Sequence, residues 1–203
     1  MSLSQVLNLT QPDFALVERC RLNDEAAFND VVARYKNKVF NYLVRMMGSS
    51  DDAEDLTQEV FLRLYTSIDS FRGQSSLNTW LFRIANNLCI DQFRRQKKHR
   101  AVAYSLDDAA YGNGAEDEGG HDVSDSTYEP HRLLERQELG QQIQQALEAL
   151  PEKLRATLIL HDIEGLPYEE IAQVVNCPLG TVKSRLFNAR QQLKQRLSGY
   201  VHG

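Results

Sequence analysis

The chain has 203 residues, enough for one or two small domains, and its 42% hydrophobic and 25% charged side chains are ordinary proportions for a globular protein. No run approaches the roughly 20 consecutive apolar residues needed to span a bilayer, and the opening Met1-Ser2-Leu3-Ser4-Gln5 lacks the basic start and apolar stretch of a secretory signal, so membrane insertion is excluded and a cytoplasmic location is expected. The formal net charge of −5 is unevenly spread: residues 1–100 hold 14 Lys/Arg against 12 Asp/Glu, residues 101–130 hold none against 8, and residues 131–203 hold 9 against 8.

Residues 1–12 are expected to form a flexible N-terminus. Beyond it, Ala27, Val31, Val32, Tyr35, Val39, Tyr42, Leu43 and Met46 recur at steps of three and four, the period of an amphipathic helix pair. Gly48-Ser49-Ser50 interrupts the pattern. Asp51, with Glu54 three residues on, reads as a capping box, and Leu56, Val60, Phe61, Leu64 and Ile68 continue a helix behind it. Asp55, Gln58, Glu59 and Leu62 stand at i, i+3, i+4 and i+7 and share one face of that helix, while Leu56 and Val60 point elsewhere. Taken alone, this is a solvated acidic face near a helix start, which the helix dipole favours.

After the break Phe71-Arg72-Gly73-Gln74-Ser75-Ser76, a third helix is marked by Leu77, Trp80, Leu81, Ile84, Leu88 and Phe93. At this spacing Trp80 is expected in the core. The helix ends in the basic run Arg94-Arg95-Gln96-Lys97-Lys98-His99-Arg100, whose cations suit both a helix C-terminus and DNA phosphates. Residues 101–130 follow. They hold all the excess negative charge and the stretch Gly112-Asn113-Gly114-Ala115-Glu116-Asp117-Glu118-Gly119-Gly120, which buries too little apolar surface to offset its ordering entropy, so a flexible acidic linker is expected.

The second half, residues 131–203, opens with a helical pattern through Leu134, Leu139, Ile143, Ala146 and Leu150. Pro151 suits the first position of the next helix, which Leu154, Leu158, Ile159 and His161 continue and Gly165-Leu166-Pro167 closes. Residues 168–175, a short turn and residues 181–197 then read as a helix-turn-helix. Ala172 lets two helices approach closely, and Asn176 tolerates the left-handed conformation of a tight turn. On the last helix, Val182, Leu186, Ala189, Leu193 and Leu197 form one stripe, which leaves Ser184, Phe187, Asn188 and Gln191 opposite, flanked by Lys183, Arg185 and Arg190. Polar side chains so placed read base edges while the cations hold phosphates. From periodicity alone, the same residues fit an ordinary αα-hairpin with solvated charges equally well. The expected fold is therefore all-α, with two small helical domains and no sustained strand alternation.

Cys20, Cys89 and Cys177 are far apart and read as buried thiols, and the five histidines form no metal-binding spacing, so neither a metal nor another cofactor is expected. An enzymatic role is not expected. The densest acidic group, Asp51, Asp52, Glu54 and Asp55, is the one candidate a metal-dependent nucleic-acid enzyme would use.

Three quoted segments carry a resemblance. Asp55-Leu56-Thr57-Gln58-Glu59-Val60-Phe61, then Phe71 to Ala85 at the family's distance, then Gly180-Thr181-Val182-Lys183-Ser184-Arg185-Leu186-Phe187-Asn188-Ala189-Arg190 resemble, in order, the extracytoplasmic-function (ECF) group of sigma-70 factors. The resemblance implies a sigma region 2 helical bundle over residues 13–100, a linker over 101–130 and a sigma region 4 helix-turn-helix over 131–203. It implies core RNA polymerase as partner, through its beta-prime clamp and beta flap, with Asp55, Gln58, Glu59 and Leu62 docking on the clamp. It assigns the minus-ten promoter element to Phe71, Arg72, Ser75, Ser76, Asn78, Trp80, Asn87, Asp91 and Arg94. Arg155, Thr181, Lys183, Ser184, Arg185, Phe187 and Arg190 are assigned to the minus-thirty-five element. Thinning of the family's melting aromatics to Trp80 and Phe82 implies weaker melting and stricter promoter choice. A cognate anti-sigma factor and a stress or envelope regulon are further family expectations.

Two DNA elements about two helical turns apart lie roughly 70 Å from each other. A thirty-residue linker reaches about 100 Å when extended but averages only about 30 Å as a coil, so a scaffold such as core polymerase must set the spacing before DNA is read. A free-standing DNA-binding regulator would instead bind its operator alone, usually as a dimer. No segment reads as a receiver or ligand domain.

Overall fold

The computed structural model describes residues 12–106 and 130–201. Among them every regular element is helical. The first half comprises α1 (Pro12–Arg21), α2 (Glu25–Met47), α3 (Ser50–Ser67), a 3-10 turn at Ile68–Ser70 and α4 (Leu77–Leu106). The second comprises α5 (Pro130–Glu148), α6 (Glu152–Leu158) with a wider turn at Ile159–Ile163, α7 (Tyr168–Val174) and α8 (Leu179–Val201).

The periodic residues from Ala27 to Met46 form one continuous helix of 23 residues rather than a pair. Nothing interrupts it, because no Gly or Pro stands between Asp24 and Gly48. Asp24 caps its start by accepting from the Ala26 and Ala27 amides, and Gly48 ends it at φ 78°, a left-handed conformation that glycine adopts without Cβ strain. Ala27, Val31, Tyr35, Val39, Tyr42, Leu43 and Met46 are buried along one side. On α1, the buried Asp13 accepts from the Arg34 guanidinium and the Tyr35 hydroxyl, tying that helix to α2.

The cap of α3 is Ser49 and not Asp51. Ser49 is extended, at φ −122° and ψ 130°, and its hydroxyl accepts from the Asp52 amide at 3.2 Å, while Asp51 already lies within the first turn. Replacing Ser49 by Ala is expected to lower stability by ~1 kcal/mol, against a few tenths for Asp51→Ala. Urea unfolding of both variants checks the assignment.

Helix α4 runs on to Leu106, past the boundary expected at Arg100. Ala101-Val102-Ala103-Tyr104 holds no Gly or Pro to stop it, and the Gly-rich stretch begins only at Gly112. The rest of the acidic linker, residues 107–129, lies outside the described residues, as do residues 1–11 of the expected flexible N-terminus.

In the second half, Pro151 occupies the cap position of α6. Asn176 takes the left-handed conformation, at φ 47°, in the turn between α7 and α8. Val182, Leu186 and Ala189 are buried on α8, and Leu193 packs against the core. Cys20 and Cys89 are buried and Cys177 is half-buried. Burial pushes the Cys89 thiol up to about 12, so it stays protonated at neutral pH.

The two halves touch. Helix α5 and α6 pack against α2, α7 packs against α4, and one continuous cluster of buried apolar side chains includes Leu43, Met46 and Leu81 together with Leu147, Leu150, Leu160 and Leu166.

Candidate functional site

Three surfaces gather the residues singled out by sequence. The first is the solvent side of α3. Asp55 and Gln58 are exposed, and Glu59 is half-buried and paired with Arg63 at 2.8 Å. Leu62 is 58% exposed, whereas Leu56 turns to the core and Val60 is fully buried. Tyr65, 51% exposed, prolongs the face and meets Phe28 edge-on with ring centroids 5.2 Å apart. Sequence reasoning missed Tyr65, although its i+3 position from Leu62 carried the signal. Carboxylates at one end and bare apolar groups at the other suit a protein partner that presents both donors and a hydrophobic seat. Asp51, one turn before Asp55, is exposed at the start of the same face, and Glu54 is exposed at its edge.

The second surface surrounds the segment from Phe71 to Asn78. Arg72 is exposed, and Ser75, Ser76 and Asn78 are half-buried. Phe71 departs from its expected place. Only 8% exposed, it lies against Trp80 with centroids 4.9 Å apart, and Arg21 of α1 donates to its carbonyl. Its ring therefore belongs to the core, because burying it beside Trp80 gains more than leaving it in water. Trp80 is partly buried against the same core, as its spacing predicted. Phe82 is 1% exposed and packs edge-on against Tyr42 at 5.3 Å, so it is not available to wedge between bases.

An open cavity of about 410 Å³ adjoins this segment, lined by Phe14, Glu18 and Arg21 together with Asp69, Phe71, Arg72 and Gly73. The α1 contributors are some fifty positions away in sequence and carried no local signal. Further along α4, Asn87 and Arg94 are exposed and Asp91 half-buried, with Asp91 and Arg94 3.6 Å apart. These three share one stripe. Asp91 and Arg95 also border a groove of about 350 Å³ whose other wall includes Asp55 and Glu59, so the stripe and the α3 face are neighbours.

The third surface is α8. Lys183, Ser184 and Phe187 are exposed, the last by 63%, and Thr181 and Arg185 are half-buried. Arg190 is exposed but held, its Nε 2.9 Å from Asp162 and its Nη2 3.2 Å from the His161 ring nitrogen. The bond from Arg190 holds the Asp162 carboxyl below its ordinary range, and the reverse effect raises Arg190. A phosphate must displace Asp162 to use this cation fully.

Arg155 does not join this surface. It is 7% exposed, and its guanidinium donates to the carbonyls of Met46, Glu148 and Leu150. Burial lowers its pKa, with Glu148 and Glu152 opposing that shift. Three otherwise orphaned acceptors select a multidentate cation here, so in this structure Arg155 packs between the helices and is not presented beside the α8 side chains expected to share its minus-thirty-five role.

Among the described residues, no three His, Cys, Asp or Glu side chains converge as a metal site would require, and no helix is long and apolar enough to cross a membrane.

Comparison with known proteins identifies both halves of the chain. Residues 31–99 match the family model for sigma-70 region 2, and residues 140–193 match that for sigma-70 region 4. The chain is 37% identical over 193 residues to the ECF RNA polymerase sigma-E factor of Escherichia coli K12, covering 93% of this chain and 96% of that protein. It is likewise 37% identical over 191 residues to the RNA polymerase sigma-H factor of Pseudomonas aeruginosa, with the same coverage. Among solved structures, the sigma factor RpoE of Bartonella quintana, in complex with the anti-sigma factor NepR, superposes with a TM-score of 0.63 at 26% identity over 84% of this chain and 96% of that one. CnrH, solved with the cytosolic domain of CnrY, shares the fold at TM-score 0.66 and 22% identity, over 94% and 99% of the two chains. Two region models in order, an all-helical fold and near full-length identity to named sigma factors lead to one conclusion: the chain belongs to the extracytoplasmic-function group of the sigma-70 family.

Proposed function

We propose that this chain works in the cytoplasm by binding core RNA polymerase through the α3 face and carrying it to promoters read by two separate surfaces. Asp55, Gln58 and Glu59 supply hydrogen bonds to the clamp and Leu62 an apolar anchor. Arg72, Ser75, Ser76, Asn78, Asn87, Asp91 and Arg94 address the minus-ten element, with Phe71 and Trp80 as the packed floor beneath them. Thr181, Lys183, Ser184, Arg185, Phe187 and Arg190 address the minus-thirty-five element. The role is one of binding and positioning, with polymerase supplying catalysis. A cognate anti-sigma factor and a stress or envelope regulon complete the proposal.

The observation that carries this reading is the exposure of Asp55, Gln58 and Leu62 on one side of α3 while Lys183, Ser184 and Phe187 are exposed on α8. One chain then offers a protein-binding face and a groove-reading helix. The test is transcription of host genomic DNA by purified core polymerase with and without the protein, mapping RNA 5′ ends. New starts that share two spaced upstream elements are expected. No new starts, together with binding of defined DNA sites by the protein alone, would replace the proposal with a free-standing regulator.

A further inference from the structure

Neighbouring residues of an α-helix point about 100° apart, yet His161 and Asp162 both reach Arg190 of α8. They do so from the wider turn Ile159–Ile163, where the Glu164 amide donates to Ile159 O at 3.0 Å, five residues back instead of four. The guanidinium commits one edge to the carboxylate: Nε donates to Asp162 Oδ2 at 2.9 Å, and Nη2 donates to Oδ1. His161 Nδ1 lies 2.7 Å from the same Oδ1, and its ring rests on Tyr168 with centroids 4.9 Å apart. The bond from Arg190 keeps Asp162 ionised at neutral pH, so the pair joins two opposite charges. Its side chains are 49% and 32% exposed, and an ion pair this open to water adds little to folding. The larger effect falls on any anion that approaches α8.

We propose that Asp162 is an internal mimic of DNA phosphate: it holds Arg190 in competition with the DNA backbone and so sets how strongly the helix-turn-helix binds. The proposal rests on the assignment of Arg190 to the minus-thirty-five surface made above. A carboxylate on a guanidinium edge takes the same bidentate geometry as a phosphate. Phosphate attraction is independent of sequence, grows with each cation brought to the duplex and supplies essentially all non-specific affinity. With Asp162 in place, a phosphate gains Arg190 only by displacing a carboxylate, and the two charges of the pair cancel. Ser184 and Phe187, exposed on the same helix, keep their own contacts with base edges. Asp162 thus acts on DNA through Arg190, as a positioning residue. The formal net charge of −5 works in the same direction, against general attraction to DNA.

Binding of the full chain to a duplex fragment carrying the mapped minus-thirty-five element, over a salt series, tests this. Asp162→Asn keeps the shape of the side chain and removes its charge. It should bind about threefold more tightly at low salt, as release of one exposed pair allows, and the fall of log affinity with log salt should steepen by about 0.9. A fragment with that element scrambled should gain alike. Asp162→Glu should behave as wild type. In an Arg190→Ala chain, Asp162→Asn should change nothing, because the competitor then has no cation to hold.

An Asp162→Asn chain that is folded by circular dichroism yet has wild-type affinity and slope overturns the proposal. So does a gain that persists in the Arg190→Ala chain, where the loss of a negative charge acts without Arg190. Where Asp162→Asn fails to fold, Arg190→Ala alone decides: its slope should be flatter than wild type by less than about half a unit. A larger change would mean that Arg190 already meets phosphate uncontested, which also overturns the proposal. Failure of wild type to support any new transcription start counts against the function proposed above, whereas the slopes on scrambled DNA bear on Asp162 alone.

Discussion

Leu62→Glu is expected to weaken binding to core RNA polymerase by about 100-fold while leaving the fold intact. Leu62 is 58% exposed in the middle of a face that starts at Asp55 and ends at Tyr65, so its apolar surface gains little within the folded chain. A residue of this kind contributes when a partner dehydrates it. Central apolar anchors typically cost about 2–4 kcal/mol when disrupted, and a charge at such a position must also be desolvated. Two considerations separate this outcome from general damage. Surface substitutions away from caps and networks change stability by roughly 0.5 kcal/mol or less, so the melting temperature should not move. Gln58→Ala, next along the same face, should lose only about tenfold, as the loss of one or two hydrogen bonds implies. Competition against the wild-type protein for core polymerase measures both. Binding of Leu62→Glu at wild-type strength would move the polymerase contact off α3.

Arg155→Ala is expected to destabilise the protein by ~3 kcal/mol and to lower its melting temperature by about 6–12 °C. The guanidinium joins Met46 O in the first half to Glu148 O and Leu150 O in the second, and lies 5.8 Å from the centre of the Phe93 ring. Alanine leaves those carbonyls short of donors in a space water enters poorly, and buried acceptors without partners are costly. Lys should rescue little, since one ammonium cannot match the planar fork that reaches several carbonyls. Thermal melting of Arg155→Ala and Arg155→Lys decides the matter, read beside binding to minus-thirty-five DNA at a temperature where both are folded. A variant that melts like wild type yet loses that DNA would return Arg155 to the recognition surface.

These two residues illustrate what could be read in advance. The exposed position of Leu62 was legible because the α3 face depends only on helix geometry: residues at i, i+3, i+4 and i+7 share a side wherever the helix sits. The inward stripe Val182, Leu186 and Ala189 and the left-handed Asn176 are legible for the same reason. The burial of Arg155 was not legible, because the matching segment was aligned without knowing what covers it. The cap of α3 was displaced by two residues, since Ser49 and Asp51 are both good caps by type and only the backbone angles choose between them.

Phe71 and Phe82 show a subtler failure. Aromatic side chains at helical spacing carry no mark in the sequence that tells an exposed contact from a core residue, and both are buried here, against Trp80 and Tyr42. Cavity walls contributed by Phe14, Glu18 and Arg21 were invisible for want of any local pattern linking α1 to the segment after α3.

By itself the sequence determined the helical class, the amphipathic faces, the acidic middle segment and the ordered motifs of the family, because periodicity, charge and turn chemistry act over a few residues. Only the tertiary structure decided that Glu170 meets Ser76 and Thr79, that Arg155 is enclosed, and that the two halves share one core. Such contacts join residues some ninety or more positions apart. Which distant surfaces meet depends on the shape and burial of whole helices, and no local spacing encodes it.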